Sequence, residues 1–192
     1  MAFTKRALRM LAQMDRATTL WTIPVVGRAK GRLIRRLIER HGCVRAVEIG
    51  SLIGYSAILI AGSMPPRGRL ICLEANDFLA WLVKANVETA GLDKRVRVIA
   101  ADALRAIPML PGRFDFAFID AEKSDYLDYL RQLEPKLVAG AVVVADNTGI
   151  ARREVAPYLE YVRAPGGRYA SRGYDFGDDA MEVSIVRGAG PV

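Results

Sequence analysis

Two apolar runs that each end in an acid open the question of chemistry. Phe114–Ile119 is followed by Asp120, and Ala141–Ala145 by Asp146 and Asn147. If these runs are neighbouring strands, three oxygen-donor side chains emerge at one edge of a sheet. Carboxylates held that close repel and raise each other's pKa unless a cation lies between them. Asp, Asp and Asn with water suit a hard octahedral ion, Mg²⁺ first, with Mn²⁺ or Ca²⁺ as substitutes. The plainer reading is that each residue caps the loop behind it. Lys123 stands three residues after Asp120. Beside a metal and a second cationic centre its ammonium form is disfavoured, which moves its pKa towards that of a general base. A solvated loop lysine is the bland reading of the same residue.

A second constellation lies upstream, in Glu48-Ile49-Gly50-Ser51-Leu52-Ile53-Gly54-Tyr55-Ser56. Glycines 50 and 54 let the backbone turn tightly and approach a ligand, and a helix N-terminus follows to receive an anionic group. The next apolar run ends in Glu74, 24 positions beyond Gly50. An acid there suits hydrogen bonds to both hydroxyls of a ribose. After the third run Asp102 is placed to accept from an adenine amino group, to cap the helix that follows, or to do both. Gly-x-x-x-Gly in place of G-x-G-x-x-G argues against a dinucleotide. S-adenosylmethionine, an adenosine ligand without a pyrophosphate, meets the same requirements.

These residues need a scaffold that brings strand ends together. Apolar residues at helical spacing predict helices over residues 4–20 and Gly27–Arg40, separated by a break at Thr22–Val26 that contains Pro24. Strands are then expected at Val44–Ile49, Arg69–Leu73, Val96–Ala100, Phe114–Ile119 and Ala141–Ala145. Helices fall between and after them at Tyr55–Ser63, Phe78–Ala90, Leu104–Leu110, Ser124–Leu133 and Arg153–Val162. Strands that are almost wholly apolar and alternate with helices describe a parallel sheet buried on both faces. Tyr169–Tyr174 and Met181–Val186 have only the turn-rich Asp175–Asp179 between them, so one closing strand must run antiparallel. The pattern predicts a doubly wound, Rossmann-like α/β sheet of seven strands. Ligands of such sheets bind beyond the carboxyl ends of the strands. Trp81, with Leu79, Leu82 and Val83 around it, is expected in the core, and His41 at the exposed end of the second helix.

With 192 residues, 52% of them hydrophobic, the chain suits a single domain with an ample core. Residues 1–43 would form basic helices and residues 44–192 the sheet-bearing core. No apolar run approaches the roughly 20 residues of a membrane-spanning helix. Cys43 and Cys72 lack metal or disulfide spacing and read as reduced core residues of a cytoplasmic protein. Charge is uneven: residues 1–45 carry +9 and residues 46–192 carry −2, within the total of +7. A solvated basic face explains this, and so does a surface for RNA or another anionic partner.

Together the motifs resemble those of the cation-dependent O-methyltransferases, the group that holds the catechol and caffeoyl-CoA enzymes, from about Val26 to Arg187. Glu48–Ser51 through Gly54–Ala57 is similar to the family's cofactor loop. Ile119-Asp120-Ala121-Glu122-Lys123-Ser124-Asp125-Tyr126 is similar to its metal-and-base loop, and Ala145-Asp146-Asn147 to its second metal motif. Ala121-Glu122 resembles the plant and bacterial branch, since the animal catechol enzyme carries His-Trp there. The resemblance implies metal ligation by Asp120, Asp146 and Asn147, and a base role for Lys123. It implies S-adenosylmethionine contacts at Val26, Glu48, Gly50, Tyr55, Ser56, Glu74, Asp102 and Asp120. The expected substrate is a small hydroxylated aromatic such as a catechol, and a homodimer is among the expected assemblies. Methylation of a hydroxylated tRNA base is the alternative enzyme reading, and a degenerate S-adenosylmethionine-binding module the non-enzymatic one. No acidic residue of Arg163–Asp179 is matched to the family's substrate contact.

Overall fold

In the first helix, Thr4 caps the N-terminus by accepting from the Ala7 amide at 3.1 Å, and Ala7, Leu11 and Met14 form the buried stripe. The computed structural model describes residues 3–188. In chain order it shows α1 (Lys5–Trp21), α2 (Gly27–His41), β1 (Arg45–Ile49), α3 (Tyr55–Ser63), β2 (Arg69–Glu74), α4 (Asp77–Thr89) and β3 (Val96–Ala100). There follow α5 (Ala103–Ala106), β4 (Phe114–Ile119), α6 (Tyr126–Leu133), β5 (Leu137–Ala145), α7 (Ala156–Arg163), β6 (Tyr169–Asp175) and β7 (Ala180–Val186).

The seven strands form one sheet in the order β3-β2-β1-β4-β5-β7-β6. β1 to β5 pair in parallel, while β7 runs antiparallel to both β5 and β6. The order reverses between β1 and β4, and there the helices leave on opposite faces and a cleft opens. Side chains alternate across the sheet. Phe116 and Phe118 face a layer made by α1 to α4, and Ala117 and Ile119 face one made by α5 to α7. Both layers are continuous apolar clusters, so the inner strands are buried on two sides. Among the described residues, no helix is long and apolar enough to cross a membrane.

The structure revises several expected boundaries. β5 begins at Leu137, not Ala141, because Gly140 adopts φ +79° and lets the strand bulge. The register between β4 and β5 accordingly jumps from Phe114↔Leu137 to Phe116↔Val142. The expected helix over Leu104–Leu110 ends at Ala106 and continues as a 3₁₀ turn, Ile107–Met109, around Pro108. α7 starts at Ala156, with Pro157 preset for the first turn. Trp81 is 60% exposed and stacks on Phe78; the buried stripe of α4 is Ala80, Val83 and Val87. The expectation of a core tryptophan was therefore wrong, since apolar neighbours in sequence do not share a helix face.

Candidate active site

At the switch point the backbone makes the first part of the site. Ile49 at the end of β1 pairs with Ile119 at the end of β4, so the loops after them leave side by side. Gly50 has φ +81°, and a Cβ placed on it would lie 2.2 Å from the Asp120 carbonyl oxygen. Only glycine fits both requirements. Gly54, at φ +85°, precedes α3 and packs on Val83. Between them Leu52 holds φ +48°, unusual for a residue with a side chain. The Glu74 carboxylate explains how: Oε2 accepts from the Ser51 and Leu52 amides, each at 3.0 Å, and Oε1 accepts from Asn76 at 3.1 Å. Glu74 is thus the brace of the loop as well as a wall residue of the cleft.

The cleft is a cavity of about 560 Å³, within the range of small-molecule sites. Val26, Gly50, Tyr55, Ser56, Glu74 and Asp102 line it, and so do Asp120, Lys123, Asp146 and Asn147, which hydrogen bonds gather into a polar end. Asp102 caps α5 by accepting from the Arg105 amide at 3.0 Å while it faces the cavity. The Tyr55 hydroxyl donates to Asp15 on α1 at 2.9 Å, which ties the N-terminal helix to the cavity wall.

Glu48 stands apart from this set. By strand alternation it points beneath α3, is 0% exposed, and is linked to the cavity wall through Ser51, whose hydroxyl donates to Oε2 at 2.7 Å. Its Oε1 has no hydrogen-bond partner among the described residues. Burial pushes its pKa up to about 7, and donors from Ser56, Cys72 and Ser51 only partly offset that.

The polar end is tightly wired. Lys123 Nζ lies 2.8 Å from Asp120 Oδ1 and 2.9 Å from the Tyr126 hydroxyl, which itself donates to the Asp146 carbonyl at 3.1 Å. Asp146 is 2% exposed, and burial together with the nearby Asp120 charge raises its pKa to about 6. Lys30 opposes that shift: its ammonium is paired with Asp146 Oδ1 and, at 2.5 Å, with Asp179 Oδ2. Burial would raise Asp179 as well, but Lys30, the Ile150 amide and Asn147 outweigh it and hold it at about 2. Asn147 sits at φ +56°, a conformation asparagine tolerates better than most residues.

Lys30, Asp179, Tyr126 and Asp15 were not expected here. Lys30 had a detectable signal: it precedes Ile34, Leu37 and Ile38 at helical spacing and so lies on the buried stripe of α2. Its neighbours Arg28, Arg32, Arg35 and Arg36 are exposed. Asp179 has no such mark, because its role depends on a hairpin folding back over β5.

The sequence model of a family described as O-methyltransferase matches residues 2–157. A catechol O-methyltransferase of Mycobacterium tuberculosis is 38% identical over 123 residues, covering 64% of this chain and 56% of that protein. Another, from Niastella koreensis, is 34% identical over 122 residues, covering 62% of this chain and 55% of that protein. The chain spans about half the length of these curated relatives. Among solved structures, an O-methyltransferase from Bacillus cereus in complex with SAH superposes with TM-score 0.82 at 25% identity, covering 96% of this chain and 92% of that one. TomG, the O-methyltransferase of tomaymycin synthesis from Streptomyces achromogenes, in complex with SAM, gives 0.83 at 25% identity, covering 93% and 90%.

Proposed function

The chain belongs to the O-methyltransferase family, and from that premise we propose that it transfers the methyl group of S-adenosylmethionine to a hydroxyl of a small, catechol-like aromatic. The observation that carries this reading is one shared cavity. Its glycine loop, Glu74 and Asp102 are adjacent to Asp120, Lys123, Asp146 and Asn147.

A divalent cation, Mg²⁺ first, fits the polar end. Burial first and the Asp120 charge second raise the Asp146 pKa, and a cation relieves that repulsion. No group of three or more His, Cys, Asp or Glu is gathered for a metal among the described residues. The set proposed here is two carboxylates and an amide, oxygen donors that leave room for water and substrate. Asp120, Asp146 and Asn147 would hold the ion, which supplies a Lewis acid that lowers the pKa of a bound hydroxyl. Glu74 retains lone pairs for ribose hydroxyls beside its amide donors. Lys123 Nζ takes the hydroxyl proton, and Asp120 at 2.8 Å stabilises the ammonium so formed. Fixing donor and acceptor in one cavity supplies the larger share of the rate.

The test is transfer of labelled methyl from S-adenosylmethionine to catechol, with and without excess EDTA. Turnover is expected to vanish with EDTA and in Asp146→Ala; undiminished turnover under chelation would sink the metal assignment. Exposed Lys5, Arg6, Arg9 and Arg16 on α1 favour one further reading, an RNA hydroxyl as acceptor. That reading requires a gel shift with bulk tRNA and no turnover of simple catechols.

A further inference from the structure

Asp146 Oδ1 is committed on two sides, to the Lys30 ammonium and to the Asn147 amide N–H at 2.7 Å. No donor among the described residues reaches Oδ2, which leaves that oxygen for a ligand. The Asn147 side chain is oriented in the same way. Its Nδ2 donates to Asp179 Oδ2 at 2.7 Å, so its carbonyl oxygen is turned away from the hairpin. Asp179 is itself saturated. Oδ2 also accepts from Lys30, while Oδ1 accepts from the Gly149, Ile150 and Ala180 amides at 3.2, 3.0 and 2.8 Å. Lys30 and Asp179 side chains are only 12% and 16% exposed.

We propose that Lys30 and Asp179 are positioning residues for the cation-binding oxygens. Their pair decides which oxygen of Asp146, and which atom of the Asn147 amide, is presented to an ion. This rests on the metal reading above, and deepens it by assigning two residues that act through the side chains of Asp146 and Asn147. Asp179 cannot rotate to ligate without abandoning three backbone amides. Lys30 cannot leave without exposing the buried Asp146 carboxylate and the half-buried Asp179 carboxylate to each other. The clamp also joins α2, the end of β5 and the start of β7, three elements far apart in the chain. Removing partners that orient metal ligands typically costs about 10- to 100-fold in metal affinity.

The experiment is Mn²⁺ binding followed by electron paramagnetic resonance, without cofactor or substrate. Wild type is compared with the double variant Lys30→Met/Asp179→Ala, which leaves net charge unchanged. The expected result is Mn²⁺ affinity about 10-fold weaker or more in the variant, with S-adenosylhomocysteine affinity held within about twofold. Equal Mn²⁺ affinity in the two proteins would overturn the positioning role and leave the metal reading standing. Equal losses for Mn²⁺ and S-adenosylhomocysteine would also overturn it, by assigning the pair to general packing. Wild type that binds no Mn²⁺ would overturn both. A measurement on the unaltered protein guards against a variant that fails to fold. The Asn147 side-chain NH₂ signals should exchange slowly and keep their Asp179 bond when Mg²⁺ is added; exchange as fast as an exposed amide would overturn the proposal.

Discussion

Burying Glu48 beneath the glycine loop puts a carboxyl group where ionisation is costly, and the consequence is measurable. Unfolded, it ionises near its ordinary 4.5; folded, its pKa lies at about 7. Between those values the folded chain keeps a proton that the unfolded chain has lost. Its stabilisation is therefore complete below about pH 4.5 and is lost as pH rises through about 7. Glu48→Gln, which cannot ionise, should lose about 3 kcal/mol less stability than wild type between about pH 4.5 and about pH 8. Denaturant titrations showing equal losses in both proteins would mean that Glu48 is charged in the folded chain. Lys123 offers a test of catalysis at the same scale. Lys123→Met should cut single-turnover methyl transfer about 10²- to 10⁴-fold and leave S-adenosylhomocysteine affinity nearly unchanged. An unaltered pH–rate profile would reduce Lys123 to a partner of Asp120 and Tyr126. Residue types at strand ends were legible because an acid closing an apolar run is locally visible. The Glu48 placement followed less easily, since strand alternation sends it away from the cleft that its neighbours Gly50 and Ser51 enter.

At the scale of elements, the turn from β1 into α3 is the tightest joint in the site. Gly50→Ala would force a Cβ into the Asp120 carbonyl, 2.2 Å away, at a φ of +81°. The left-handed conformation alone costs about 1–3 kcal/mol, and the clash adds to it by pushing two strand-end loops apart. Thermal unfolding should therefore fall and S-adenosylhomocysteine binding should be lost. Gly50→Ala protein that binds with wild-type affinity would disprove the close approach. Five parallel strands were readable from apolar runs, and the antiparallel ending from the lack of a helix between the last two. Misplaced boundaries have local causes: Pro108 shortens α5, and the Gly140 bulge lets β5 begin at Leu137. Trp81 failed for another reason. Composition names an apolar residue, but the phase of α4 turns Val83 inward and Trp81 out.

Across the whole molecule, distant segments complete the site. Lys30 and Asp179 meet over 149 positions of sequence, and Asp15 reaches Tyr55 over 40. Helical spacing marks Lys30 alone, but no spacing rule reveals the pairs themselves, which exist only in the folded chain. Asp15→Ala removes the acceptor of a phenol that lines the cavity. The loss should be about 1 kcal/mol, roughly fivefold in S-adenosylhomocysteine affinity by calorimetry. Unchanged affinity would confine α1 to packing. The pairing of Ile49 with Ile119 carries a last consequence, one for the history of the chain. Gly50 and Asp120 continue those two strands, so the glycine loop abuts the loop that carries Asp120 through main chain. Their separation is set by the spacing of adjacent strands, about 4.7–4.9 Å, and owes little to any particular side chain. Helix surfaces and loop lengths can change by mutation while that separation stays fixed. A chain built on this joint can vary the surfaces around it without disturbing the contact between its two loops.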